Sequence, residues 1–431
     1  MTELTRRRFT LLAGAGAGAG LALSAGVLPA PGVRAQAPAE ARVVVVGGGF
    51  AGATFARYLK RAAPRTAVTL VDPAAPYVTC PFSNTVIGGI NSMETITVGR
   101  DGALRDGIHF IARQAERVDP AAKTVTLSGG TVLQADILVV APGIDFVTDG
   151  IENYTADAAR RMPHAWKAGD QTRLLRAQLE DMPDGGRVII AVPPGPYRCP
   201  PGPFERASLI AHELSQTKPR SKVLILDATQ AMPKGDLFQQ GWDTLYPGMI
   251  ERIVTTPAGW VTGVEPDDLT LRTDFETHTG DVINLIPPQQ AGRIATDSDL
   301  ADAEGWCPVD PATFESTRYP GVHVLGDAAR TALPKSASAG NSAAKVCAHA
   351  VAARLTGRDF GPAAFINACY SLLAPDYGIA VAAVYDLKTG GIRAIDGASG
   401  SSPLDATQEY RRKEAEDARG WYASITADTF A

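Results

Sequence analysis

Apolar residues along this chain gather into short runs set between stretches of mixed polarity. Val43–Val46, Val68–Val71, Ile137–Val140, Val188–Val192, Val223–Leu226 and Val322–Leu325 each hold four or five mostly apolar positions. Runs of that length, bounded by glycine, proline or aspartate, predict buried strands rather than helices. Helical patterns lie elsewhere. An alanine-rich helix is predicted over Ser342–Leu355, a helix start at Pro203–Ala207, and a solvated helix face over Glu409–Arg419. Ile379–Val384 alternates as a half-buried strand does.

The first predicted strand ends in Gly47-Gly48-Gly49-Phe50-Ala51-Gly52, and Asp72 closes the second, twenty residues later. Strand, glycine turn, helix and correctly spaced acid together make a dinucleotide fingerprint. Gly47 makes the turn, Gly49 lets backbone approach a pyrophosphate, and Gly52 lets the helix pack on the sheet. Asp72 stands where an acid takes the ribose hydroxyls. Two later segments decide which nucleotide. Ala135–Gly143 is a strand breaking into a small-residue turn, and Tyr319–Ala328 is a strand ending in Gly326-Asp327. Both resemble signatures of the FAD-containing pyridine-nucleotide disulfide reductase superfamily, in which Gly143 lies in the turn and Asp327 holds the FAD ribitol. The first site is therefore expected to take FAD rather than NAD.

The order of elements implies an α/β fold of two Rossmann-like, glutathione-reductase-type domains, the second inserted in the first, with a carboxyl-terminal α+β interface domain. The FAD-binding domain is expected over 36–148 plus 284–359, the insert over 149–283 and the last domain over 360–431.

Thr5-Arg6-Arg7-Arg8-Phe9 precedes Leu11–Ala30, an uncharged run rich in Ala, Gly and Leu. That reads as a twin-arginine signal peptide over 1–35, cleaved after Ala35 or Ala37, and places the mature chain in the periplasm. Residues 1–35 carry four arginines against one glutamate, so their removal takes the formal charge from −5 to −8. An acidic surface argues against nucleic acid and anionic membranes, and favours a basic protein partner.

The inserted domain departs from its superfamily. After Val188–Val192, where a nicotinamide domain carries its glycine turn, the chain reads Pro193-Pro194-Gly195-Pro196-Tyr197-Arg198-Cys199-Pro200-Pro201-Gly202-Pro203. Six prolines remove six amide donors, so the loop is not suited to wrap a pyrophosphate, and electrons are not expected to be exchanged with NAD(P)H.

There are five cysteines: Cys80, Cys199, Cys307, Cys347 and Cys369. In an oxidising compartment an odd count leaves at least one thiol unpaired, bonded to a cofactor or buried. Cys307 and Cys347 read as small buried hydrophobes. Spacing pairs none of the others. The six histidines are dispersed without ligand spacing, so no metal site is expected. Lys335 is read as either a neutraliser of reduced flavin or a solvated lysine.

Tyr77-Val78-Thr79-Cys80, Pro163–Gly169, Arg198–Pro203, Asp281–Gln289, Gly305–Asp310 and Cys369–Pro375 resemble the flavoprotein subunit of flavocytochrome c sulfide dehydrogenase, and the likeness runs over essentially the whole mature chain. The resemblance implies FAD joined through its 8α-methyl carbon to the Cys80 sulfur. It implies a redox disulfide, Cys199–Cys369, beside the flavin, and an acid–base carboxylate at Glu205. The chain departs at Ala329, where some relatives carry cysteine; that position is outside the disulfide pair.

The chemistry follows ordinary exchange: hydrosulfide attacks a disulfide sulfur, leaving a persulfide and a thiolate whose electrons pass to the flavin. Glu205 stands at a helix start, where the dipole favours its anion, so it accepts the substrate proton only with local tuning; its plain alternative is a first-turn stabiliser. The chain has no Cys-x-x-Cys-His for a c-type haem, and Tyr410–Asp417 is too charged for a membrane-embedding helix. The expected partner is therefore a separate periplasmic c-type cytochrome, with no membrane insertion. The alternatives are a peripheral sulfide:quinone reductase and an accessory flavoprotein that maintains other periplasmic sulfur-oxidising proteins.

Overall fold

The computed structural model describes residues 41–254 and 260–431. The signal expected over 1–35, with its cleavage positions, lies outside the described residues.

Arg42–Val46 (β1) runs into Phe50–Ala62 (α1), and the chain returns as Ala67–Val71 (β2), His109–Ile111 (β3) and Ile137–Val140 (β4). β1 lies parallel to β2 on one side and β4 on the other, and β3 adds outside β2. Every valine of β1 is at most 4% exposed, because layers cover both faces. Val43 and Val45 pack with Phe55 and Leu59 of α1, whereas Val44 and Val46 pack with Leu138, Val140 and Trp306.

The chain then builds a second parallel sheet. Its elements are Arg187–Val192 (β5), Gly202–Thr217 (α2), Lys222–Asp227 (β6), Gly235–Leu245 (α3), Ile250–Val254 (β7) and Val282–Leu285 (β8). The strand order is β7-β6-β5-β8. One face of β5 packs on Phe204 and Ile210 of α2, the other on Tyr154, Met162 and Trp260. Asn284 and Leu285 pair with Ile190 and Ala191, so the domain boundary expected between 283 and 284 cuts through a strand and belongs after Leu285. Asn284 interrupts the apolar run, but it is buried and satisfied, accepting from Arg206 Nη1 at 2.8 Å and donating to the Pro163 carbonyl at 2.7 Å.

Val322–Val324 (β9) joins the first sheet beside β4, completing the order β9-β4-β1-β2-β3. Ala337–Thr356 (α4) follows, its first turn capped by Ser336, whose Oγ accepts the Ala339 N–H at 3.0 Å. Ala364–Ala374 (β10), Tyr377–Lys388 (β11) and Gly391–Ser401 (β12) form an antiparallel sheet, and Gln408–Phe430 (α5) ends the chain. The fold is α/β with two Rossmann-like units and an α+β carboxyl-terminal unit, as the apolar runs predict.

The Glu409–Arg419 stretch is not a wholly solvated face. Arg411 and Glu414 are buried, 3.3 Å apart, and Arg411 Nη2 donates to the Pro403 carbonyl at 2.7 Å. Charges three positions apart look alike in sequence whether the helix face is covered or bare. The far end of α5 returns to the first sheet, where the Phe430 ring lies 5.2 Å from those of both Phe50 and Tyr77.

Candidate active site

The turn after β1 leaves no room for side chains. Gly47 has φ +95°, and a Cβ there would lie 2.2 Å from the Ala141 carbonyl oxygen. A Cβ on Gly52 would lie 1.9 Å from the Gly47 oxygen, so α1 starts where it does only because that position is glycine. Asp72 is buried at the end of β2. Its Oδ2 accepts the Gly48 N–H at 2.5 Å and its Oδ1 the Ala74 N–H at 2.7 Å, while Arg100 Nη2 sits 3.2 Å from Oδ1. The carboxylate expected at the ribose is thus braced by Arg100, a residue that no sequence pattern singled out. Arg100 lies over the Tyr77 ring at 4.9 Å and also donates to the Gly48 carbonyl.

From this turn a cavity of about 270 Å³ runs past Gly49 and Gly143 to Cys80, Arg198, Cys199, Glu205, Asp327 and Cys369. It brings together every site residue the sequence nominated except Gly52, which packs the helix beneath. Three cysteines from three separate segments open on it, and all five cysteines of the chain are free thiols in this structure. The pair expected to be bridged, Cys199 and Cys369, is therefore unlinked here. The other two cysteines are buried away from the cavity; burial pushes Cys307 up to about 12 and Cys347 well above the usual thiol range.

Cys199 sits in the left-handed region at φ +55°, which is costly for a residue with a Cβ. The proline-rich loop holds it there: its N–H donates to the Lys335 carbonyl at 2.8 Å and its carbonyl accepts the Gly202 N–H at 2.8 Å. Burial, then the neighbouring Cys369 and Glu205, raises its thiol well above the usual range. Arg198 N–H donates to Gln289 Oε1 at 2.9 Å, so the loop's remaining amides are largely committed.

Glu205 lies in the first turn of α2, partly accessible through the cavity. Its Oε1 accepts the Leu372 N–H at 2.9 Å and its Oε2 accepts from Asn84 Nδ2 at 2.8 Å. Burial raises its carboxyl above the usual carboxylate range, outweighing those hydrogen bonds. This is the tuning that its helix-start position lacks.

Arg198 is the largest omission from the sequence reading. Its Nε donates to Asp327 Oδ2 at 2.6 Å, and its Nη1 lies 3.5 Å from Cys80 Sγ. Asp327, expected at the ribitol, is thereby also an ion-pair partner. Trp166 Nε1 donates to the Arg198 carbonyl at 3.1 Å, and the Arg206 guanidinium covers the Trp166 ring at 4.7 Å. Burial lowers Arg206 to about 9. The signal available in sequence was an arginine beside a cysteine in a stiffened loop. Lys335 is not a solvated lysine. Its Nζ donates to the Asp327 and Ala329 carbonyls at 2.6 and 3.2 Å and lies 3.5 Å from the Trp306 ring centroid; burial lowers it to about 8. It supports the Gly-Asp turn from behind.

These residues fit a flavin dinucleotide: a cradle that any Cβ would fill at one end, and at the other a wide cavity ending in thiols. Comparison with known proteins agrees. Family models match three parts of the chain: pyridine nucleotide-disulphide oxidoreductase over 41–178, the central part of the sulfide dehydrogenase [flavocytochrome c] flavoprotein chain over 172–287, and flavocytochrome c sulphide dehydrogenase, flavin-binding, over 362–430. The sulfide dehydrogenase flavoprotein chain of Chlorobaculum thiosulfatiphilum is 62% identical over 45 residues, 10% of this chain and 94% of that sequence. The chain belongs to the flavocytochrome c sulfide dehydrogenase flavoprotein family. This flavin-binding family has sulfide:quinone oxidoreductases as neighbours. The mitochondrial enzyme of Mus musculus is 24% identical over 320 residues, 69% of this chain and 67% of that one. The solved sulfide:quinone oxidoreductase of Aquifex aeolicus superposes with a TM-score of 0.68 at 18% identity, covering 91% of this chain and 92% of that one, which shows the shared fold.

Proposed function

We propose that this protein oxidises hydrosulfide in the periplasm through a Cys199–Cys369 redox disulfide and an FAD held covalently at Cys80, and passes the electrons to a c-type cytochrome subunit. The observation that carries the reading is the meeting of Cys80, Cys199, Cys369 and Glu205 around one cavity. Gly47, Gly49, Gly143, Asp72 and Asp327, which line the cavity, would hold the dinucleotide. Bound FAD supplies the two-electron acceptor. Glu205, its carboxyl raised by burial and its oxygens positioned by the Asn84 and Leu372 donors, takes the proton of the incoming substrate. Cys199 and Cys369 receive the sulfur. Arg198 keeps a cation within reach of Cys80 and ties Asp327 to the same loop.

A cytochrome acceptor is favoured over a quinone by the carboxyl-terminal helix, which exposes Arg412, Lys413, Glu416 and Asp417, a poor face for the bilayer interface. The family name, with its flavocytochrome complex, supports the same partner. Export rests on Arg6-Arg7-Arg8-Phe9 and the apolar run behind it. The test is an anaerobic one. Hydrosulfide should bleach the flavin, oxidised c-type cytochrome should restore it faster than a soluble quinone does, and acid-precipitated protein should stay yellow. Release of all the flavin into acid would remove the covalent link, and re-oxidation by quinone alone would favour the quinone-reductase reading.

A further inference from the structure

Lys234 has no part in the site as described. It immediately precedes α3 in the left-handed conformation, φ +61°, held by a turn in which the Gly235 N–H donates to the Met232 carbonyl at 2.9 Å. A residue with a long side chain occupies that region only under constraint. Its Nζ donates to Ser371 Oγ at 2.7 Å and to the Cys369 carbonyl at 3.3 Å, and lies 3.8 Å from Cys369 Sγ. The two sulfurs of the pair thus have different neighbours. Cys199 is opposed in its thiolate form by burial and then by the Cys369 and Glu205 charges, which together outweigh the pull of Lys234. Cys369 has a lysine cation against its sulfur. Two strained non-glycine residues, one in each loop, converge on one pair of sulfurs.

We propose that Lys234 makes Cys369 the departing thiolate, so that hydrosulfide attacks Cys199. The proposal rests on the redox-disulfide reading above and assigns its direction. In the step, the hydrosulfide sulfur bonds to Cys199 Sγ, and the bond from Cys199 Sγ to Cys369 Sγ breaks. Its electron pair goes to Cys369 Sγ beside Lys234, and the substrate hydrogen, carried on the acidic persulfide, passes to the Glu205 carboxylate. One sulfur–sulfur bond is exchanged for another, with no outside oxidant. Exchange is faster when the leaving sulfur is the better-stabilised thiolate, and a cation at Cys369 supplies that bias.

The competing role for Lys234 is a clamp that ties β10 to the loop before α3 through Ser371 and the Cys369 carbonyl. Peptide mapping of the whole flavoprotein separates the two. Without reductant, Cys199 and Cys369 should resist alkylation and appear as one linked pair of peptides. After one equivalent of sodium hydrosulfide without oxygen, the added sulfur should be found on Cys199 and the alkylated thiol on Cys369. With the pair fully reduced, iodoacetamide should label Cys369 about tenfold more slowly in Lys234→Met, which removes the cation from beside the sulfur, and near the parent rate in Lys234→Arg and Ser371→Ala. Added sulfur on Cys369, or an unchanged labelling rate in Lys234→Met with the bridge present, overturns the assignment while the disulfide reading stands. Equal slowing by Ser371→Ala identifies the clamp instead. Two cysteines that alkylate freely without reductant overturn both.

Discussion

Glu205 is where position and surroundings pull in opposite directions. A helix start favours its anion, while burial favours the protonated form, and burial prevails. The sign matters for activity: with the value raised, Glu205 becomes a base only as pH climbs past the ordinary carboxylate range. Hydrosulfide-dependent flavin bleaching should therefore have an acid limb above that range. Glu205→Gln should lose the limb and slow the bleaching by about 10²–10⁴-fold, the usual worth of a positioned acid–base group. Stopped-flow traces across pH check this; an unchanged profile in the glutamine variant would leave Glu205 as a first-turn stabiliser. At this scale the cysteines stood out because cysteine is rare and reactive, while their roles and that of Glu205 came from the family resemblance. Arg198, Arg100 and Asn84 were not. Arginine and asparagine in loops follow no periodicity, and their partners lie far along the chain: 129 positions separate Arg198 from Asp327.

Among elements, the parallel strands were the easiest to read, since burial on both faces leaves an unbroken apolar run. The loop between β5 and α2 was legible for the opposite reason, as a broken rule. Its prolines remove donors, and the amides of Arg198 and Cys199 are spent on Gln289 and Lys335. NADH should then neither bind nor bleach the flavin; millimolar NADH that reduces it at a rate comparable to hydrosulfide would contradict this account of the loop. The carboxyl-terminal helix was misread because amphipathic pattern reports polarity, and the buried Arg411–Glu414 pair is polar on the inside. The boundary expected before residue 284 falls inside β8, at an Asn284 that is buried and accepts from Arg206. Both errors fall where a polar side chain is satisfied by a distant partner instead of by water.

Over the whole molecule, the site exists only because three units meet. Cys80 comes from the first, Cys199 and Glu205 from the insert, and Cys369 from the antiparallel sheet, with 170 positions between the paired cysteines. No local pattern encodes that meeting; the family resemblance alone suggested it, and the cavity places the residues together with the thiols unlinked. The central claim is that sulfide electrons enter through this pair. It is tested most directly by the rate at which hydrosulfide bleaches the flavin in Cys199→Ser and Cys369→Ser, measured without oxygen beside the parent protein. The account predicts that both variants fold, keep their flavin at Cys80, and lose bleaching by at least about a hundredfold, since no sulfur acceptor remains. A double variant that melts lower yet is bleached at the parent rate would make the pair a structural tie between two units and contradict the account.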